Sequence, residues 1–160
     1  EVVGPSRFKE FYIPHYEEFA EILHDHGKLM GVHLDADTWA LDEAIGASKI
    51  DYIEALTPRP DTHMTVAEAR AAWPDKVLWI NFPASVHTEG ALAVRNTTRR
   101  ILKEASPGDR FLMGVTEAVP QECWQEGLTA IQEVINAEGD LPLHPKRLEL
   151  EKELEVGVTH

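Results

Sequence analysis

The sequence predicts an α/β fold of parallel (βα) units that form half of a TIM-type barrel. Three observations carry this prediction. Four short, largely apolar segments, Leu29–His33, Tyr52–Leu56, Val77–Ile80 and Arg110–Val115, recur along the chain. Stretches of helical period separate them, and that alternation belongs to a parallel sheet covered by helices. The chain has 160 residues, whereas a complete (βα)8 barrel usually needs about 250. Four strand–helix units therefore fit, and eight do not.

The elements follow in order. Phe8, Phe11, Tyr12, Tyr16, Phe19, Ala20 and Leu23 recur at three- and four-residue steps, the stripe of an amphipathic helix. Pro14 falls inside it, so a break or a first-turn proline is expected there. Gly27 ends the helix, and Leu29–His33 is the first strand. Asp37-Thr38 can cap a short helix over Trp39–Ala47. Tyr52–Leu56 is the second strand, and Thr57–His63 is a proline-stiffened loop. Thr65-Val-Ala-Glu68 is a capping box opening the next helix, which ends near Trp73-Pro74. Val77–Ile80 is the third strand, followed by Asn81-Phe82-Pro83. A helix over Glu89–Ala105 turns at Ser106–Asp109 into the fourth strand. Pro120 suits the first turn of a last helix running to Glu138, stopped by Gly139–Pro142. Residues 1–143 thus make the half barrel, and 144–160 a charged tail expected to form a weakly packed helix.

Composition narrows the function classes. Lys and Arg number 15 against 28 Asp and Glu, for a formal charge of -13. A phosphate-backbone binder needs a basic face, and the one basic stretch, Arg95–Lys103, reads as a solvated helix face. Nucleic acid is excluded on this ground, and an anionic membrane surface is disfavoured. No apolar run approaches the roughly 20 residues of a membrane span. The single cysteine, Cys123, excludes an intrachain disulfide framework and an all-cysteine zinc site. Glu1–Ser6 has neither the basic start nor the apolar centre of a signal peptide. The expectation is a cytoplasmic protein, either processed or part of a longer chain.

In parallel α/β folds chemistry sits at the carboxyl ends of the strands. His33, Asp35 and Asp37 follow the first strand, Glu54 lies in the second, Asn81 follows the third, and Thr116 and Glu117 follow the fourth. His33 and Asp35, two apart on a strand, point to the same face. With Glu117 as a third ligand they would hold a divalent metal and leave a position open for catalysis. The same pair can instead be a general acid/base with its orienting carboxylate, or a structural hydrogen bond. Glu54 interrupts an apolar strand and reads either as a pocket carboxylate or as a strand-end group bonded to backbone. Cys123 reads as a small buried side chain, and His63 as a solvent-exposed loop residue. No phosphate-binding glycine loop, nucleophile elbow or His-Glu-x-x-His motif is present.

The ordered landmarks resemble the C-terminal half of the uroporphyrinogen decarboxylase superfamily. The matching stretches are Gly4–Pro14, His24-Asp-His-Gly27, the strand ending in His33, Ile50–Pro58, Phe111-Leu-Met-Gly114 and Pro120. The resemblance implies a barrel fold and either a decarboxylase or a zinc-dependent methyltransferase that works with corrinoid proteins. It places the metal set at His33, Asp35 and Glu117, with zinc favoured, and Glu54 near a small-molecule substrate. Asp35 stands where the methyltransferases carry a cysteine, and Val115 stands at the second cysteine position. The acidic charge argues against a polyacidic porphyrin. Two other readings stay open: a non-catalytic small-molecule binding or interaction module, and an inactive fragment of a longer enzyme. A four-stranded half barrel leaves two unpaired edges and an open face, so a homodimer completing or covering it is expected.

Overall fold

A computed structural model describes residues 3–35, 37–116 and 118–152. Four parallel strands form one sheet in the order β1-β2-β3-β4: β1 (Gly31–His33), β2 (Tyr52–Leu56), β3 (Val77–Phe82) and β4 (Phe111–Val115). The helices are α1 (Ile13–Asp25), α2 (Asp42–Gly46), α3 (Val66–Ala72), α4 (Ala91–Ala105) and α5 (Trp124–Glu138). The α/β class and the parallel, consecutive sheet are those the sequence predicts, and the arrangement is that of half a (βα) barrel. Among the described residues no helix is long and apolar enough to cross a membrane.

Register divides the sheet into two faces. Val32, Ile53, Leu78, Ile80 and Phe82 are buried in the main core, beneath the helices. The opposite face carries Tyr52, Trp79 and Leu112, and Trp79 and Leu112, paired across β3 and β4, are 40% and 50% exposed. On that face the two edge strands carry glycines, and neighbouring rings occupy the space a side chain there would take. A Cβ on Gly31 would stand 1.9 Å from the Tyr52 ring, and one on Gly114 would stand 3.1 Å from Trp79 Nε1. The missing side chains make room for the aromatic surface.

Local differences from the sequence reading have local causes. The helical run begins at Pro5, passes through a π-helical turn at Phe8–Tyr12, and continues as α1 with Pro14 in its first turn. Pro14 has no N–H to offer the preceding turn, and the wider turn takes up the mismatch. Strand β1 starts at Gly31 and not at Leu29, because Met30 N–H donates to the Asp51 carboxylate at 2.6 Å instead of to a neighbouring strand. Asp37 accepts from the Trp39 N–H at 3.2 Å, and a 3-10 turn at Trp39–Leu41 precedes α2. The capping box forms as predicted, with Thr65 and Glu68 satisfying each other's backbone N–H groups. Strand β3 runs on through Asn81 to Phe82. Pro120 lies in a turn ahead of α5, and Cys123 caps that helix half-buried.

The basic stretch on α4 is not a solvated face. Arg99 is 9% exposed and reaches both Glu138 on α5 and Glu151 in the tail, at 2.8 and 2.6 Å. Arg95 also bonds Glu151, and Asn96 exchanges two hydrogen bonds with the Glu151 backbone. Residues 144–152 therefore lie against α4 as a strap with one 3-10 turn at Pro145–Arg147, anchored by Leu148, which is buried. A helix in this stretch would turn part of these groups away from α4.

Candidate functional site

His33 ends β1 and Glu54 sits beside it in register on β2. The His33 Nδ1–H donates to a Glu54 carboxylate oxygen. An irregularity in the β2–β3 register falls between Ile53 and Leu56, and Ala55 has φ 62° there. A bulge inserts one residue and re-aims its neighbours. It lets Glu54 turn to His33 while Ile53, Ala55 and Leu56 all remain buried. A buried alanine in left-handed backbone is uncommon and costs free energy, so the turn that aims Glu54 is held by the packing around it.

Asp35 lies past the end of the strand, and its carboxylate is 3.8 Å from His33 Nε2. Strand alternation therefore does not unite the pair; the closer partner of His33 is Glu54. The hydrogen bond to Glu54 raises the His33 pKa above its ordinary value. Slight desolvation opposes this, and the Glu54 and Asp35 charges add to it. The imidazole thus holds its proton to higher pH, with Nδ1 committed and Nε2 directed to solvent and Asp35.

A second imidazole–carboxylate pair stands nearby. His63, in the loop after β2, donates to Asp37. Burial pushes the Asp37 pKa up, but hydrogen bonds from His63 and from the Trp39 N–H together outweigh it and hold the carboxyl below its usual range. His63 is exposed, as its loop position suggests, yet it is bonded.

A cavity of about 290 Å³ opens at this end of β1. The aromatic residues Phe8, Tyr12 and Tyr16 and the aliphatic Leu34 and Leu41 make most of its wall, and His33, Asp35 and Asp37 make its polar rim. Phe8 and Tyr12 stack with centroids 5.8 Å apart, and Tyr16 meets both edge-on at 6.1 and 6.4 Å. Burial, then the neighbouring Tyr12, raises the Tyr16 pKa, so its hydroxyl stays neutral. Sequence reading treats these three rings as part of an amphipathic stripe. Their i, i+4, i+8 spacing on one helical run, just upstream of a strand with a polar mouth, is the signal that marks a pocket wall.

The predicted site residues are thus placed as follows. His33, Glu54 and Asp35 come together. Asn81 is within β3, its side-chain amide oxygen Oδ1 beside Gly114. Val115, at the end of β4, is 47% exposed. Glu117 lies outside the described residues. For a metal, His33 Nε2 and the Asp35 carboxylate are donors in hand, but His33 Nδ1 is already committed to Glu54. Among the described residues no group of three His, Cys, Asp or Glu side chains has the geometry to hold an ion. No protein-family model matches this chain, and no curated protein matches it.

Proposed function

We propose that the chain carries the acid/base half of a small-molecule enzyme of the decarboxylase type, working at the carboxyl end of β1 with His33 as the proton donor. The observation that supports it is the hydrogen bond from His33 to Glu54 at the rim of the aromatic cavity. Glu54 fixes the ring orientation and favours the imidazolium. When a carbon–carboxylate bond breaks, CO2 leaves and the electron pair stays on carbon. Nε2 of His33 can then deliver the proton that carbon needs, leaving a neutral ring whose Nδ1–H still donates to Glu54 and is held in place by it. The apolar wall limits water at that carbon. Methyl transfer, the other chemistry of the resemblance, would need thiolates where Asp35 and Val115 stand, and the histidine of the resembled decarboxylases is likewise replaced at Val115, so the decarboxylase reading rests on His33 and Glu54. The zinc reading keeps its own test, metal analysis of protein purified without chelator.

The test of the acid/base reading is CO2 release from a panel of small carboxylic acids, measured with wild type and with His33→Gln. Positioned acid/base groups contribute about 10²–10⁴-fold, so His33→Gln should lower turnover by at least about 10²-fold on any acid the wild type consumes. Glu54→Gln, which keeps shape but not charge, should give an intermediate loss. Turnover unchanged in His33→Gln would overturn the reading and favour a binding module.

A homodimer belongs to the same proposal. Both sheet edges, β1 and β4, lack a strand partner among the described residues, and the open face exposes Trp79 and Leu112. A second copy can cover that face or join edge to edge into eight strands. Light-scattering chromatography should give about twice the 18.0 kDa chain mass, and Leu112→Glu should shift it to one chain. Monomeric elution of wild type would exclude the dimer.

A further inference from the structure

We infer that the cavity selects a ligand bearing an ammonium group, seated between the free carboxylate of Asp35 and the rings of Tyr12 and Tyr16. This rests on the decarboxylase reading in one respect, that the same ligand also carries the carboxylate presented to His33; the ligand is then a small zwitterion with an apolar or aromatic body. Four features of the cavity carry the inference. Aromatic rings attract a cation through their electron-rich faces, and more strongly where water is thinned. Two carboxylates stand on the rim, and none of the described lining residues is a lysine or arginine. Their roles differ. Asp37 is committed to His63 and to the Trp39 N–H, whereas Asp35 has only the 3.8 Å approach to His33 and is 74% exposed. Asp35 is the carboxylate with capacity left for a ligand.

The rest of the wall sets the body of the ligand. Val3, Leu34, Leu41 and the buried face of Phe8 offer apolar contact, and the Thr38 hydroxyl, buried, donates to the Met64 sulfur at 3.7 Å. A cavity of about 290 Å³ is at the small end for ligand sites, roughly 300–1,000 Å³, and suits a molecule of amino-acid size. A dianion would meet the Asp35 carboxylate with one lining imidazole, His33, to offset it, since His63 is already paired with Asp37; this disfavours ligands with two acidic groups and agrees with the overall charge of -13.

Calorimetric titration of the wild-type chain with phenylalanine, phenethylamine and 3-phenylpropanoate tests this, because the three share a body and differ in the charged groups. Phenylalanine and phenethylamine should each bind at least tenfold more tightly than 3-phenylpropanoate. Asp35→Asn should bring all three within about threefold of one another; Asp35 is exposed and has no close partner, so the variant should fold as wild type does. Equal or tighter binding of 3-phenylpropanoate, no measurable heat with either amine, or an unchanged preference in Asp35→Asn would overturn the inference. The decarboxylase reading fails separately. An ammonium preference without CO2 release from any acid sinks that reading and leaves the cation selection standing. CO2 release without an ammonium preference sinks the inference alone.

Discussion

Replacing Arg99 by methionine should destabilise the fold by about 3 kcal/mol or more and release the tail from α4. The guanidinium is nearly buried and bridges Glu138 and Glu151. Both hydrogen bonds, Glu138 first, raise its pKa further, against the cost of desolvation. Removing one partner of a buried ion pair costs about 3–5 kcal/mol, because the other charge stays out of water without compensation. Glu138 is the weak point: its second carboxylate oxygen, Oε2, is already buried with no partner among the described residues. Glu151 is better hydrated and keeps Arg95, so most of the loss traces to Glu138. Urea unfolding of Arg99→Met should show the drop, and the double variant Arg99→Met, Glu138→Leu should recover most of it. A loss below about 1 kcal/mol, the range of surface ion pairs, would show that the Arg99 network is solvated and not structural.

Acid should destabilise the protein through His87, and His87→Leu should remove that sensitivity. His87 is 1% exposed, packs against the Phe82 ring at 5.1 Å, and has both ring nitrogens without a hydrogen-bond partner among the described residues. Gly127 of α5 presses on it so closely that a Cβ there would stand 2.0 Å from Nδ1. Desolvation lowers the His87 pKa, so the folded protein holds a neutral ring. The unfolded chain takes up a proton at an ordinary pKa of about 6.5. Its contribution to stability is therefore complete above about pH 6.5 and is lost as pH falls from there toward the folded-state value. Within that window the slope is about 1.4 kcal/mol per pH unit. His33 acts in the opposite sense, since its folded pKa is raised, but it is exposed and largely screened. Denaturant melts of wild type and His87→Leu from pH 7.5 to 5 should diverge below about pH 6.5. Because leucine fills much of the site without an unsatisfied polar atom, His87→Leu should be no less stable at pH 7.5. Parallel pH profiles in the two proteins would show that His87 takes up its proton in the folded protein as readily as in the unfolded chain, and would overturn the prediction.

Much of the architecture is legible in the sequence. Strand β2 and the Thr65–Glu68 capping box are found at the predicted residues, because both depend on local pattern. The strands are apolar runs bounded by turns, and the capping box needs no partner beyond four residues. The ends of β1 and α2 are less legible, since distant groups decide them. Asp51 diverts the Met30 N–H from strand pairing, and the backbone before α2 follows Asp37, which is itself held by His63.

The candidate site divides in the same way. Sequence alone brings forward His33, Asp35 and Glu54, because polar side chains at the mouths of apolar strands are conspicuous. It pairs His33 with Asp35, its neighbour in sequence. Tertiary structure pairs His33 with Glu54, because parallel register sets β1 beside β2 and a bulge at Ala55 turns the carboxylate across. The His63–Asp37 pair and the Arg99 bridge likewise join residues far apart in sequence. What this chain determines by itself is the order of strands and helices, and with it a half barrel with its polar groups at one end. Which of those groups touch is decided only in three dimensions, because periodicity fixes the face on which a side chain lies, whereas register, bulges and packing fix its neighbour.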